Sequence, residues 1–441
     1  MASPQPRATL DDVRAILLSF SLHFQRKRKL GPRQILVTLM FMIHGECGYR
    51  RGLAKVSEMM GVEFGWKKDP PRAGSFTKAR YKLAPAEMLA MYQQALQSSS
   101  AIAARNRWLW RGYRLVAADG SRFLLPATEE LIAAFQRPRV TDGEAYQPQM
   151  LQVTLWDVGA CQPISWKQRP CRGKGNGERA ILLEQLDQLG PKDILLLDRG
   201  FPSRRILFEL MARDIPFVIR MTAGMRCDFA EVAAFLATDA DDAQINFTYH
   251  DNDAAGKLVE RLRLVRDMDE DGSGCVLVTN LMDETAFTAD DLIQVYRRRW
   301  GIETAFKDMK IRYEIEGFHG MTPQLVEQEI IALMFLLLIE SLVEEAALAS
   351  LPRKVQGNGD QDRPRRCNRA ALGDRIPNLL NMAIRPQRSR ILWQAYVRGL
   401  HATAMDREQV RRPDRNRPRQ CLSQYGRWRC WRPKAGSAEA A

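Results

Sequence analysis

Apolar residues recur at helical spacing through the first hundred residues of the chain. Residues 10–24 and 32–45 have this spacing, and the pair Gly31-Pro32 between them is typical of a helix boundary. Strand-like alternation does not begin until Tyr113. The pattern therefore predicts a helical N-terminal part over about residues 1–105.

A short helix in this part presents basic side chains. Residues 75–82 read Ser-Phe-Thr-Lys-Ala-Arg-Tyr-Lys, which places Lys78, Arg80 and Lys82 on a predicted helix. Two interpretations remain open. The helix belongs to a helix-turn-helix-like reader of DNA, or it forms the charged outer face of an ordinary helical bundle.

From Tyr113 the pattern changes to short apolar runs that alternate with helical stretches. A turn around Gly159 predicts a hairpin, and a helix is predicted over residues 203–213. Strands separated by helices indicate a sheet that contains parallel pairs, with helices packed on it. The predicted strands cover residues 114–119, 151–158, 162–168, 193–198 and 215–220.

Polar stretches interrupt this alternation between residues 221 and 285, and strand-like runs lie between them, so we expect a β-rich insertion there. Thr288 then offers a capping-box start for a helix to about Arg312. A last helix is predicted from Thr322 to about Leu348. Its apolar run, Ile330–Ile339, is too short to span a bilayer and predicts a buried core helix.

Charge is distributed unevenly along the 441 residues. Residues 352–441 hold 21 Lys and Arg against 7 Asp and Glu, which equals the whole formal excess of +14. Arginines interleaved with tryptophans and tyrosines suit a nucleic-acid partner, although a solvated basic tail has the same composition. The eight scattered cysteines include no Cys-x-x-Cys pair, and the N-terminus has no secretory h-region, so we expect a cytoplasmic protein with free thiols.

The helix that follows Thr288 carries two stripes. At about 100° per residue, Tyr296, Arg299, Glu303 and Lys310 fall within an arc of roughly 60°. An apolar stripe beside them is predicted to pack the helix on the sheet. This stripe consists of Val295, Ile302, Phe306 and Met309. The alternative is an amphipathic surface helix with pairs four residues apart.

Two aspartates occupy equivalent places in the pattern. Asp119 and Asp198 each end a predicted strand and precede a glycine within two residues. Because ligands bind beyond the carboxyl ends of strands in α/β sheets, we expect the two side chains to converge. With Glu303 they form a set of carboxylates of the kind that binds Mg²⁺, and two such ions support phosphodiester cleavage. Each aspartate alone would suit a turn equally well.

These residues resemble the signature of a known family. Tyr296-x₂-Arg299-x₃-Glu303-x₆-Lys310 matches the Y-R-E-K signature of DDE transposases of insertion-sequence family four. The other motifs that agree are Asp119-Gly-Ser, Leu197-Asp198-Arg-Gly-Phe201, Phe217-Val-Ile-Arg220 and Thr279-Asn-Leu281. The likeness extends over about residues 110–345.

The resemblance implies an α/β fold with a ribonuclease H-like mixed sheet and flanking helices. The catalytic core would cover residues 106–220 and 286–350, with the β-rich insertion at 221–285 between them. Asp119, Asp198 and Glu303 would be the catalytic acids and the ligands of two Mg²⁺ ions, with Mn²⁺ as a substitute. The helical part at 1–105 and the basic region at 351–441 would contact DNA or a second protomer.

The same resemblance implies the reaction and the partners. The enzyme would cleave the ends of its element and join the 3′-hydroxyl to target DNA, as a homodimer on the terminal inverted repeats in the bacterial cytoplasm. Tyr296 and Arg299 would hold hairpin phosphates, and Lys310 would contact the element end. Trp300 would either stack on a displaced base or pack in the core.

Two other functions remain open from the sequence. One is a DNA-binding regulator or transposition inhibitor without catalysis, which would have no need of the three acids. The other is a ribonuclease H-like nuclease without strand transfer. The glycine-rich run at residues 172–178 lacks the Gly-Lys-Ser/Thr of a P-loop, so we expect a loop near the active face and not a nucleotide site.

Overall fold

The computed structural model describes residues 30–45, 47–62, 64–66, 69–106, 109–141, 143–221, 229–250, 257–268 and 274–349. The helix expected at 10–24 and the basic region at 351–441 lie outside these residues. The helices are α1 (Pro32–His44), α2 (Tyr49–Met60), α3 (Ala73–Tyr81), α4 (Pro85–Asn106), α5 (Glu129–Phe135), α6 (Glu178–Leu183), α7 (Arg204–Ala212), α8 (Ala230–Leu236), α9 (Ala289–Arg297), α10 (Trp300–Lys307) and α11 (Pro323–Ala349). The strands are β1 (Arg114–Leu124), β2 (Arg139–Val140), β3 (Gly143–Glu144), β4 (Gln149–Asp157), β5 (Gln162–Pro170), β6 (Asp193–Leu197), β7 (Phe217–Met221), β8 (Asp242–His250), β9 (Lys257–Met268) and β10 (Gly274–Thr279).

Eight strands form one mixed sheet in the order β5-β4-β1-β6-β7-β10-β9-β8. Strand β6 pairs in parallel with both β1 and β7, and the other pairs are antiparallel. The predicted hairpin is confirmed as β4 and β5, and the predicted parallel pairs are confirmed at β6. The fold is therefore a mixed α/β sheet with helices packed on it.

Strand β1 is longer than the sequence predicts. Its parallel pairing with β6 ends at Ala117, but its antiparallel pairing with β4 continues to Leu124. The prediction that Asp119 ends the strand is therefore wrong. Because β4 provides hydrogen-bond partners past the end of β6, the chain stays extended through Gly120.

The segment between residues 221 and 285 contains strands β8, β9 and β10, as its apolar runs predict. These strands continue the main sheet, because β10 pairs with β7 through Val276 and Met221. The helical N-terminal stretch is likewise present in α1 to α4.

The helix predicted from Thr288 to Arg312 is not continuous. Its start is confirmed, since Thr288 and Asp291 form a capping box. It breaks at Arg298 and Arg299, where backbone hydrogen bonds span three residues instead of four, and residues 308–312 form a π-helical turn. Such tighter and wider turns redirect a helix axis without ending it.

Two apolar clusters cover the two faces of the sheet. One cluster joins the sheet to α9, α10, α11 and the N-terminal helices, and it contains Val295, Ile302, Phe306 and Met309 as predicted. The run Ile330–Ile339 is buried in the same cluster, which confirms the predicted core helix. Among the described helices, none combines the length and apolar character needed to cross a membrane.

Arg80 does not lie on an outer face of α3, so that expectation is wrong. It is fully buried, forms an ion pair with Glu329 at 2.9 Å, and donates to Gln328 Oε1 at 2.9 Å. Because α3 packs on α11, the face that carries Arg80 is an interior face. Lys78 and Lys82 remain exposed.

Candidate active site

The two aspartates lie side by side at one edge of the parallel part of the sheet. The last paired residues of β1 and β6 are Ala117 and Leu196. Asp119 lies two residues after Ala117, and Asp198 lies two residues after Leu196. Alternation along a strand places Asp119 on the same face as Ala117. Asp198 follows β6 and accepts a hydrogen bond from Gly200 N at 2.9 Å. The predicted convergence of Asp119 and Asp198 is consistent with this register.

Asp119 is held in a half-buried position on β1. Its Oδ1 accepts a hydrogen bond from Gly120 N at 2.8 Å. Burial raises the pKa of Asp119 to about 6, and the charges of Asp198 and Glu178 add to this rise, whereas the Gly120 N–H and Arg299 oppose it. Burial is thus the main cause of the raised pKa of Asp119, and the two neighbouring carboxylates add to it.

Glu178 is a fourth carboxylate that sequence reasoning did not identify. It is the first residue of α6, and a Cβ added to Gly120 would lie 2.2 Å from its Oε1. Burial raises the pKa of Glu178, Asp198 adds to the rise, and Arg122 opposes it. The only sequence signal was the glycine-rich run that ends at Glu178, which was expected near the active face.

Arg299 connects the broken helix to β1. Its Nη2 donates to Oε1 of Glu303, four residues later, and its Nη1 lies 3.9 Å from Oδ2 of Asp119. The structure thus brings the first and third predicted acids to one guanidinium. The pair of Arg299 and Glu303 has the four-residue spacing of the surface-helix alternative, but Ile302 and Phe306 of the same helix are buried, so the helix is not a surface helix.

Tyr296 is buried beside this guanidinium, whose Cζ lies 5.9 Å from the ring centroid. Burial raises the pKa of Tyr296 to about 12, with Asp198 adding to the rise and with Arg299 and Arg220 opposing it. The phenol is therefore neutral at physiological pH, where it can act as a hydrogen-bond donor.

Lys310 lies in the π-helical turn and points back at β1. Its Nζ donates to the Arg122 carbonyl at 2.6 Å, lies 3.9 Å from Glu316, and sits 5.0 Å from the Phe123 ring centroid. Burial lowers the pKa of Lys310, and Glu316 opposes that shift. The ammonium group is therefore anchored three residues beyond Asp119 on the same strand.

Trp300 does not pack in the core, so that one of the two alternatives for its role is wrong. It is the first residue of α10 and is 51 % exposed. The break at Arg298 and Arg299 places it on the outer side of the helix, whereas Ile302 and Phe306 face the core. The ring of Trp300 is therefore accessible from solvent beside the site.

No group of three or more His, Cys, Asp or Glu side chains is arranged to hold a metal ion anywhere in the described part of the chain. The side chains of the three predicted acids are near one another but do not form a coordination shell around a common centre. Arg299 lies between two of them, since it pairs with Glu303 and its Nη1 lies 3.9 Å from Asp119. The four cysteines within the described ranges are free thiols.

Comparison with known proteins gives one family and one curated relative. The family described as "Transposase DDE domain" matches residues 110–339, which is just over half of the chain. The chain is 23 % identical over 232 residues to "Transposase InsG for insertion sequence element IS4" of Escherichia coli (strain K12). The match covers 50 % of each protein, so the chain spans about half the length of this relative.

Among solved structures, this chain is similar to the cryo-EM structure of the piggyBac transposase synaptic complex with hairpin DNA. The superposition covers 95 % of this chain and 86 % of the piggyBac transposase chain. The identity is 9 % and the TM-score is 0.42. A likeness of this size says nothing about the fold or the partners of this chain.

Proposed function

This chain belongs to the family of transposases with a DDE domain, and on that premise we propose that it cleaves the ends of its own insertion sequence and joins them to target DNA. One observation supports this most directly. Asp119 and Asp198 share a register at the end of the parallel strands, and Arg299 links Asp119 to Glu303. A binding protein without catalysis would have no use for this convergence.

We assign a ribonuclease H-like core to residues 106–220 and 286–350. The strand order β5-β4-β1-β6-β7, in which β6 alone makes only parallel pairs, supports this assignment. The segment 221–285 would be the β-rich insertion that extends the sheet. The helices within 1–105 would form an N-terminal domain that binds element ends.

The donor set fits a divalent cation. Carboxylate oxygens are the protein ligands that Mg²⁺ prefers. Burial raises the pKa of Asp119, the charges of Asp198 and Glu178 add to the rise, and a bound cation would favour the ionised carboxylate. Asp119, Asp198 and Glu303 would hold one or two Mg²⁺ ions, with Mn²⁺ as a substitute. When bound, the ions would polarise the scissile phosphate and lower the pKa of the attacking water or hydroxyl.

The chemistry is two phosphoryl transfers. In cleavage, a water oxygen bonds to the phosphorus and loses a proton, and the bond to the 3′ oxygen breaks to give a 3′-hydroxyl. In joining, this hydroxyl attacks a target phosphodiester, its proton is released, and the target's own 3′ oxygen leaves and is protonated. Both steps need the phosphate to be held in line, which is a positioning task.

The side chains around the acids suit that task. Arg299 has the forked geometry that binds phosphate through two hydrogen bonds, and the neutral phenol of Tyr296 offers a further donor. Lys310 would support the element end as a point charge near β1. Trp300 would stack on a displaced base, and its exposure supports this role over core packing.

We further propose that two protomers act together on paired element ends and target DNA. The experiment is cleavage of a duplex that carries the sequence flanking this reading frame, with Mg²⁺ present. Asp119→Ala, Asp198→Ala and Glu303→Ala should each abolish cleavage but leave DNA binding intact. Asp187→Asn alters an exposed carboxylate that pairs with Arg213, so it is the matched control and should cleave normally.

The outcome separates this function from its two alternatives. Undiminished cleavage in any of the three variants would remove that residue from the site. DNA binding without any cleavage by the unaltered protein would favour the regulator. Cleavage without a joined product would favour a nuclease that lacks strand transfer. Terminal inverted repeats bounded by short direct duplications in the flanking DNA would independently support a transposase.

A further inference from the structure

Arg299 occupies the space between the first and third acids of the proposed site. It pairs with Glu303, and its Nη1 lies 3.9 Å from Asp119. The arginine side chain is only 12 % exposed, and the Tyr296 ring lies 5.9 Å from its Cζ. Because the arginine side chain is largely removed from water, its attraction to the two carboxylates is stronger than it would be between fully exposed groups. Arg299 therefore acts as the local cation of both acids.

The same guanidinium has donors that are not used. Its Nε and Nη1 are buried and have no hydrogen-bond partner in the part of the chain that the structure describes. At 3.9 Å, Nη1 is within ion-pair distance of Asp119 but too far for a hydrogen bond. A buried donor without an acceptor is unfavourable, so an incoming anion with two oxygens would stabilise this side chain. A DNA phosphate has that geometry.

We propose that Arg299 couples DNA binding to cation binding: it neutralises Asp119 and Glu303 until a DNA phosphate engages its guanidinium, and both carboxylates then become available to the divalent cation. The inference rests on the proposed function of the site. It is consistent with the finding that, among the described residues, these acids do not form a coordination shell around a common centre. Since coupling between two ligands is reciprocal, a bound cation should also tighten phosphate binding.

The direct test is a titration of the full chain with Mn²⁺. Electron paramagnetic resonance measures the free Mn²⁺ and so gives the binding affinity. Arg299→Gln removes the guanidinium, so without DNA this variant should bind Mn²⁺ about 10-fold more tightly than the unaltered protein, within the usual range of such couplings. Adding a duplex with the flanking sequence of the reading frame should tighten Mn²⁺ binding to the unaltered protein. The same duplex should have little effect on Arg299→Gln.

Two further variants serve as controls for this test. Arg297→Gln removes the same charge from an arginine whose side chain is 66 % exposed and pairs with Asp267, so its Mn²⁺ affinity should be unchanged. Arg299→Lys keeps the charge but loses the fork. It should show a smaller gain in affinity than Arg299→Gln, and it takes over as the test variant if Arg299→Gln does not fold.

The outcomes separate this inference from the function beneath it. Equal Mn²⁺ affinity in Arg299→Gln and the unaltered protein, with affinity lost in Asp119→Asn, would overturn the coupling and leave the proposed cation site standing. Equal affinity in all variants, including Asp119→Asn, together with normal DNA cleavage by Asp119→Asn, would overturn the proposed site itself.

Discussion

Glu178 packs its carboxyl group directly over the backbone of Gly120, so that a Cβ at Gly120 would lie 2.2 Å from Oε1 and 2.7 Å from Cγ of Glu178. Helix α6 and strand β1 meet at this contact, beside Asp119. A larger residue at this position would force the Glu178 side chain to move. The glycine that follows the first acid therefore leaves room for a neighbouring element, and no turn requires it.

Gly120→Ala should destabilise the protein by about 1 kcal/mol, the low end of the usual cost of overpacking, because the clashing atoms belong to a side chain that can rotate. The methyl group would have to displace Glu178, so the cost should shrink when Glu178→Ala is already present. Urea unfolding of both single variants and the double variant measures this coupling. Gly190→Ala is the control, because its added Cβ would meet nothing within 4 Å. Equal costs in the two backgrounds would contradict the contact.

Asp119→Asn should stabilise the fold above pH 6, in buffer with a chelator, while it abolishes cleavage. The pKa of Asp119 is raised from 3.8 to about 6, so the folded protein holds a proton that the unfolded chain has released between about pH 4 and 6. Stability therefore falls as pH rises through this window, by up to about 3 kcal/mol.

The measurement is the urea midpoint at several pH values between 4 and 7. The unaltered protein should lose stability relative to Asp119→Asn across that range, and the two should converge near pH 4. Asp187→Asn, whose side chain is exposed, should follow the unaltered protein throughout. A difference that does not change with pH would show that Asp119 has no raised pKa in the folded state.

Arg80→Met should lower the free energy of unfolding by about 3–5 kcal/mol. The substitution leaves Glu329 as a buried, unpaired carboxylate and also removes the hydrogen bond to Gln328. Adding Glu329→Gln should restore part of the loss, since it removes the uncompensated charge. Lys78→Met on the exposed face of the same helix should change stability little. Chemical denaturation measures the free energy of unfolding of the unaltered protein, the two single variants and the double variant.

Removing residues 352–441 should make DNA binding less sensitive to salt. Each phosphate neutralised by a basic side chain contributes a slope of about −0.9 to log K against log salt. The truncated chain retains 45 Lys and Arg against 45 Asp and Glu, so its slope should be much flatter. Binding isotherms at several salt concentrations measure the slope, and an unchanged value would exclude this region from the DNA interface.

The sequence alone determined the elements whose pattern is local. Short apolar runs predicted strands β4 to β7, and the capping box at Thr288 predicted the start of α9. Helical spacing predicted that Ile302 and Phe306 would be buried, and they are. These features follow from the side-chain periods of helices and strands, which are properties of neighbouring residues. The family signature likewise rests on spacing within short stretches.

Only the tertiary structure decided the features that depend on contacts between distant residues. Strand β1 continues past Asp119 because β4 pairs with it, and Arg80 is buried because α11 packs on α3. Glu178 reaches the site from a separate helix, across Gly120. The spacing of residues along the chain does not give the distance in space between such elements. The two predicted aspartates were thus readable from the sequence, whereas the fourth carboxylate and the guanidinium bridge at Arg299 became visible only after the chain was folded.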